Sequence, residues 1–306
     1  MVADRLTLRR GTDIQRPEEG TVSSTHTSHT GARRHVQTRG LRWLALVPLV
    51  AFLALALLGP LLVTSSPTEQ SLTARLTPPV LFGGTWAHPL GTDGLGRDLL
   101  ARVAVAARLS LVIGVVATAL SAAFGVLLGL IAGVAGGRVE RFVSVLVDVQ
   151  LALPFVVVGF AVTATLGQSV GNVLLVLTVT GWVTFARVVR LQARVVRGSE
   201  YVRAAVAIGA SPPRLLFRHV LPNVLPAVLV LISQGVGAVM LYEASLTYLG
   251  VGLPVDRITL GGLVDDGQDL IFQAWWVTTL PGITVALAIV GFNLLGDHLQ
   301  FRFRTR

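Results

Sequence analysis

The sequence predicts an all-α polytopic membrane protein with six transmembrane helices and both termini in the cytoplasm. Three observations carry that expectation. Hydrophobic residues fill 53% of the 306 positions and charged residues 13%, where a soluble domain carries roughly 25% charged. Six apolar runs reach or approach the roughly 20 residues that cross a bilayer. The arginines gather on alternate connections between those runs, the asymmetry that sets orientation in a membrane.

Residues 1–43 are polar, rich in Ser, Thr, His and Arg and without apolar periodicity, and are expected to form a disordered cytoplasmic tail. The first run, Leu44 to Val63, follows about forty polar residues instead of the short basic region of a secretory signal, and so reads as an uncleaved anchor. An outer segment, 64–108, leads to the second run, Leu109 to Val134. The third run, Val143 to Leu166, contains Pro154, which is expected to kink it. The fourth, Val170 to Ala186, is short, and a cytoplasmic loop over 187–222 separates it from the fifth, Val224 to Leu249. The sixth, Trp275 to Leu295, closes a transmembrane core spanning 109–299, and 300–306 form a cytoplasmic tail.

With the N-terminus inside, Arg33, Arg34, Arg39, Arg42, Arg138 and Arg141 share the cytoplasmic side with Arg187, Arg190, Arg194, Arg197, Arg203, Arg214 and Arg218, and with Arg302, Arg304 and Arg306. Only Arg75, Arg97, Arg102, Arg108 and Arg257 fall outside, so the positive charge selects this orientation. The net charge of +9 is thereby assigned to topology, and no nucleic-acid partner is expected.

Every basic residue is arginine and there is no cysteine. A P-loop lysine, a Schiff base, a thiolate nucleophile and a cysteine metal site are therefore excluded. His26, His29 and His35 lie in the tail, and His88, His219 and His298 lie at membrane edges, without metal-binding spacing. An enzyme is not expected, nor a cofactor or metal bound by this chain.

Ala117, Ser121, Gly125, Gly129 and Gly133 repeat every fourth residue along the second run. One helical face is thus small enough for close approach, either inside this subunit or at a subunit interface. Asp148 and Glu243 sit within or at the edge of apolar runs, where a carboxylate costs about 2.5–3.5 kcal/mol at the bilayer centre. They read as proton or substrate contacts of a pathway, or as snorkelling or arginine-paired groups. Gln234, with Gly235 and Gly237, is a further candidate for a polar pathway surface.

The 187–222 loop is patterned. Glu200 to Ile208 suits a helix closed by Gly209 as a left-handed cap. Ser211 is then an N-cap and Pro212 a first helical residue, with Leu215, Leu216 and Phe217 apolar before Leu221 and Pro222 end the second helix.

The run EYVRAAVAIGASPPRLLFRHVLPNVLP, Glu200 to Pro226, resembles the EAA loop of ABC importer permeases of the dipeptide, oligopeptide and nickel branch. Three further blocks resemble the C-type subunit of that branch: HPLGTDGLGRDLLARVAVAARLSL from His88, EASLTYLGVG from Glu243 and FNLLGDHL from Phe292. The resemblance implies the type I importer permease fold and a pathway for peptides or a related solute. It also implies a homologous second permease, two ATPase subunits that use ATP and Mg, and an extracytoplasmic binding protein, all beside membrane lipid. It assigns ATPase coupling to Glu200, Tyr201, Arg203, Ala204, Ala205, Gly209, Ala210, Ser211, Leu216 and Phe217, with Ala204, Ala205 and Gly209 as small residues behind a pivoting helix. Arg203 stands where the motif has glutamate, and Glu200, one turn earlier, is the expected substitute. Leu260 stands where tryptophan before glycine is common. Gly91, Thr92, Asp93, Gly96, Arg97 and Asp98 match the outer-segment signature, which shapes that segment or docks the binding protein. An amphipathic helix on the inner leaflet remains the alternative for the loop, and a self-sufficient channel or secondary transporter using Asp148 and Glu243 the alternative for the chain.

Overall fold

The computed structural model describes residues 46–304, and among these it contains helices and no strand. The expected N-terminal tail, Leu44 at the start of the first run and the last two residues lie outside the described residues. Helix α1 is Val47–Leu62, α2 Leu99–Ala135, α3 Gly137–Ala152, α4 Phe155–Leu166 and α5 Val170–Arg197. Short helix α6 is Glu200–Ala207, α7 runs Pro212–Tyr248, α8 is Leu260–Gly267 and α9 Trp276–Arg304.

Four of these helices, α2, α5, α7 and α9, are long and apolar enough to cross a membrane. The pair α3 and α4 supplies a fifth crossing if counted as one span, bent by 82° at its break. Pro154 is the cause, since it lacks the N–H that would carry the ladder onward, and Leu153 before it takes an extended backbone. The third apolar run is therefore two helices in place of one kinked span. Helix α1 is apolar but has only 16 residues, about 24 Å of axis.

Three expected boundaries move. Helix α2 begins at Leu99, inside the expected outer segment, because Asp98 caps it: its Oδ1 accepts the Ala101 N–H at 2.8 Å. Helix α5 continues through Arg197, into the stretch expected as the start of the 187–222 loop. The arginines of its last turns keep their heads on α3, where Arg190 donates to the Ser144 hydroxyl and Arg194 lies 3.4 Å from Glu140. Pro222 does not stop the second loop helix. A π-helical stretch, Leu215–Val220, absorbs the irregularity that the proline imposes, and the helix runs on as α7.

The small-residue stripe of α2 is consumed against α5 of the same chain. A methyl group on Gly129 would meet the Ala186 carbonyl at 2.7 Å, and one on Gly133 would meet Ala193 Cβ at 2.7 Å. Ala117 and Ser121 are buried on the same face. Because both partners at these contacts include backbone, they cannot yield by rotating a side chain. Gly125→Leu is accordingly expected to cost about 3 kcal/mol or more in overpacking and to cut recovery of folded protein from membranes, measured by size-exclusion in detergent; undiminished recovery would show that the helices do not meet there.

The core continues around α1, α7 and α9. Phe52 is fully buried and meets Phe292 edge-to-face at 6.4 Å. Leu49 backs on Gly291, and the Ser233 hydroxyl donates to the Phe292 carbonyl at 3.1 Å. The FNLLGDHL block thus serves helix packing. The bundle has two ends: one carries α8 and the segment before α2, the other carries α6.

Candidate functional site

Helix α6 ends as its sequence prescribes. Gly209 takes φ +87°, and the Ala210 N–H reaches back to the Ala205 carbonyl at 3.0 Å, a Schellman closure. Ser211 holds the N-cap position of α7 without a side-chain cap bond. The Tyr201 hydroxyl donates to the His219 carbonyl at 3.1 Å and accepts from Asn223 Nδ2 at 2.8 Å, so α6 is clamped to the start of α7. Val202 and Ala205 face the bundle and are buried. Ala204 and Gly209, expected behind the helix, are exposed instead, because the buried stripe runs through Val202 and Ala205 one turn apart. Glu200 and Arg203 point to solvent. Ile208 is 88% exposed, and Val206 and Phe217 are also uncovered, an apolar patch at the tip of the bundle. Leu216 is half-buried.

At the opposite end, the GTDGLGRD block folds into a knot of buried charge. Asp93, 2% exposed, accepts from the Leu95 N–H at 2.8 Å, the Arg97 N–H at 3.0 Å, Arg97 Nε at 2.6 Å and the Arg102 guanidinium. Burial opposes ionisation of Asp93, yet these backbone N–H bonds, the Arg97 head and the Arg102 charge outweigh it and hold the carboxyl below its ordinary 3.8. Arg102 extends to Asp266 of α8 at 3.2 Å. Thr92 accepts the Thr77 N–H at 2.8 Å through its hydroxyl, and its carbonyl accepts Trp276 Nε1 at 3.1 Å. His88 Nδ1 donates to Asp98 Oδ2 at 2.8 Å. Gly91 and Gly96 have φ +80° and +72°, the left-handed turns that let this chain fold back. The block therefore ties the outer segment to the N-termini of α2 and α9. The sequence alone gave no sign that Asp266, in a distant acidic stretch, joins it.

The two carboxylates expected near a pathway are not together. Asp148 is exposed on α3. Glu243 is wholly buried, and its partners are hydroxyls in place of an arginine: Ser110 donates at 2.9 Å and Thr247 at 3.2 Å. The rest of the EASLTYLGVG block staples α4 to the end of α7, with Thr163 donating to the Val251 carbonyl and Gln168 to the Gly250 carbonyl, each at 2.8 Å. Gly235 packs on Thr118 and Gly237 on Ile289, so neither presents open backbone. Leu260 is fully buried at the start of α8, with Gly261 against the Ala244 backbone. Gln234 lines a groove of about 590 Å³ between α5, α7 and α9, together with Gln192 and Gln300.

Comparison with known proteins agrees with this geometry. Residues 125–305 match the model of the family described as binding-protein-dependent transport system inner membrane component. The chain is 37% identical over 254 residues to the probable D,D-dipeptide transport system permease protein DdpC of Escherichia coli, covering 83% of this chain and 84% of that one. It is 34% identical over 270 residues to the dipeptide transport system permease protein DppC of Bacillus subtilis, covering 88% and 83%. Among solved structures, the MetNI methionine ABC transporter in inward-facing conformations shares the fold with a TM-score of 0.52 at 21% identity, over 66% of this chain and 97% of that one.

Proposed function

The chain belongs to the family of binding-protein-dependent transport system inner membrane components, and from that premise we propose that it pairs with a homologous second permease to enclose a pathway for dipeptides or oligopeptides. It is a permease subunit of an ABC importer in the bacterial inner membrane. In this reading α1 and the bent α3–α4 pair join the four long helices as six spans, with both termini and α6 in the cytoplasm. The arginines at the α6 end support that orientation.

Two ATPase subunits dock at the cytoplasmic face, one of them on α6. The observation that carries this is the exposed apolar tip around Ile208 on a helix that Tyr201, His219 and Asn223 hold rigidly to α7. Closure of the ATPases on binding ATP draws α6 inward as a body, and α7 moves with it. The pathway turns outward to receive peptide from a binding protein at the end built by Asp93, Arg102 and Asp266; hydrolysis by the partners resets it. ATP and Mg are used by those partners, and this chain binds no cofactor. Membrane lipid covers apolar positions such as Leu58 of α1.

Affinity purification from native membranes in mild detergent, with an ATPase assay on the eluate, tests the assembly. A second six-span subunit and Walker-motif ATPases are expected; recovery of this chain alone would remove the reading. The rival, a self-sufficient transporter, needs Glu243 as a working carboxylate. Glu243 is sealed behind Ser110 and Thr247, and an amide can accept from one of them while staying neutral. Glu243→Gln is therefore expected to keep ATP-driven uptake within about threefold, since the amide oxygen still accepts from one hydroxyl and about one hydrogen bond is lost. Loss of uptake in a folded E243Q protein would return the carboxylate to the mechanism.

A further inference from the structure

We propose that the groove between α5, α7 and α9 is this chain's wall of the pathway at the α6 end, and that Gln192, Gln234 and Gln300 line it as a neutral amide surface for the backbone of a peptide in passage. The proposal rests on the permease reading and names the surface that would meet the cargo. The groove, about 590 Å³, is also bordered by Val188, Pro226 and Phe303 and carries no charged side chain. Gln192 and Gln300 stand near the last turns of α5 and α9, across from the Pro226 to Gln234 stretch of α7, so the groove opens toward the α6 end.

Gln234 is the deep member. It lies about 24 Å along α7 from Arg218 and about 21 Å from Tyr248, near the middle of a hydrocarbon layer about 30 Å thick. Among the described residues none of the three amides has a hydrogen-bond partner. An amide left unpaired in lipid costs several kcal/mol, so a lipid-facing position is disfavoured and water or a polar cargo is the fitting neighbour. Room for the Gln234 side chain is built in: a methyl group on Gly296 of α9 would meet Gln234 Cγ at 2.7 Å. Each glutamine offers both a donor and an acceptor, as each peptide bond does. A wall of this kind pairs with peptide backbone whatever the side chains, and without a fixed charge it does not trap a charged one.

Because the chain has no cysteine, single thiols report on the groove. In inverted vesicles holding the full complex, Gln234→Cys and Gln192→Cys are expected to react with a charged, membrane-impermeant maleimide in the resting state. Trapping the ATPases with ATP and vanadate should slow both reactions at least tenfold. Val228→Cys, buried on the same helix, should stay unreactive. Gln234→Leu should lower ATP-driven uptake of dialanine about fivefold to tenfold, the loss of one hydrogen bond, while Gln234→Asn retains most of it. Unreactive Q234C and Q192C in vesicles where Ile208→Cys reacts would overturn the proposal, because lipid or a helix of the second permease would then fill the groove. Unchanged uptake in Q234L would overturn the amide role. A native complex that hydrolyses ATP without importing dialanine contradicts the peptide assignment, whereas the thiol reactions still decide whether the groove is a pathway wall.

Discussion

Replacing Gly209 with valine is expected to reduce ATP-driven uptake at least tenfold while leaving the ATPase activity of the isolated partner subunits unchanged. Nothing lies within 4 Å of the position a Cβ would take, so crowding is not the cause. The cause is φ +87°, a left-handed conformation that costs an ordinary L-residue roughly 1–2 kcal/mol and is a genuine outlier for a β-branched one. The chain relieves that strain by opening the Schellman bond between Ala210 and Ala205, and α6 then loses its fixed angle to α7. A coupling element transmits motion only while it is rigid, so a modest local energy has a large functional effect. Gly209→Asn, which tolerates left-handed φ, should retain most of the uptake. Uptake in vesicles with co-assembled ATPases is the measurement; wild-type rates in the valine variant would contradict a role for this turn in coupling.

Replacing Asp93 with alanine is expected to destabilise the protein by about 3–5 kcal/mol, the usual result of stripping a buried ion pair of one partner. Arg102 would remain buried with Asp266 as its remaining carboxylate, and the Leu95 and Arg97 N–H groups would lose their acceptor. The drop should appear as a lower thermal unfolding midpoint in detergent and as faster proteolysis within residues 64–98. Asp265→Asn is the control, since the Asp265 carboxylate, at the end of α8 and half-buried, accepts only from Gln268 among the described residues. The pH dependence follows in sign. The folded carboxyl titrates below its ordinary 3.8, so its stabilisation is present above that value and is lost as pH falls through the folded pKa. An unchanged midpoint in D93A would mean that the knot does not hold the outer segment.

The helices were legible where apolar runs were pure and became harder to read where arginine entered them. Arg102 and Arg108 hide the first turns of α2 from a hydropathy reading, and Arg187 to Arg197 hide the last turns of α5, although arginine is a good helix former. Gly209 could be placed as a cap from spacing alone, because the left-handed turn is a local requirement. Glu243 could be flagged as buried but not partnered, since Ser110 is 133 residues away. The same limit kept Asp266 out of the outer knot and Gln192 and Gln300 away from Gln234: side chains that meet across the bundle leave no periodic trace in the chain. Tyr201 was singled out by the motif, yet its work, clamping α6 through the His219 carbonyl, depends on a contact 18 residues on.

The most direct test of the account is peptide uptake by proteoliposomes containing this chain with its co-purified permease and ATPase partners and the external binding protein. Import of dialanine that requires enclosed ATP and the binding protein, and that stops with vanadate, is the predicted result. Uptake by this chain alone, driven by an ion gradient without ATP, would contradict it.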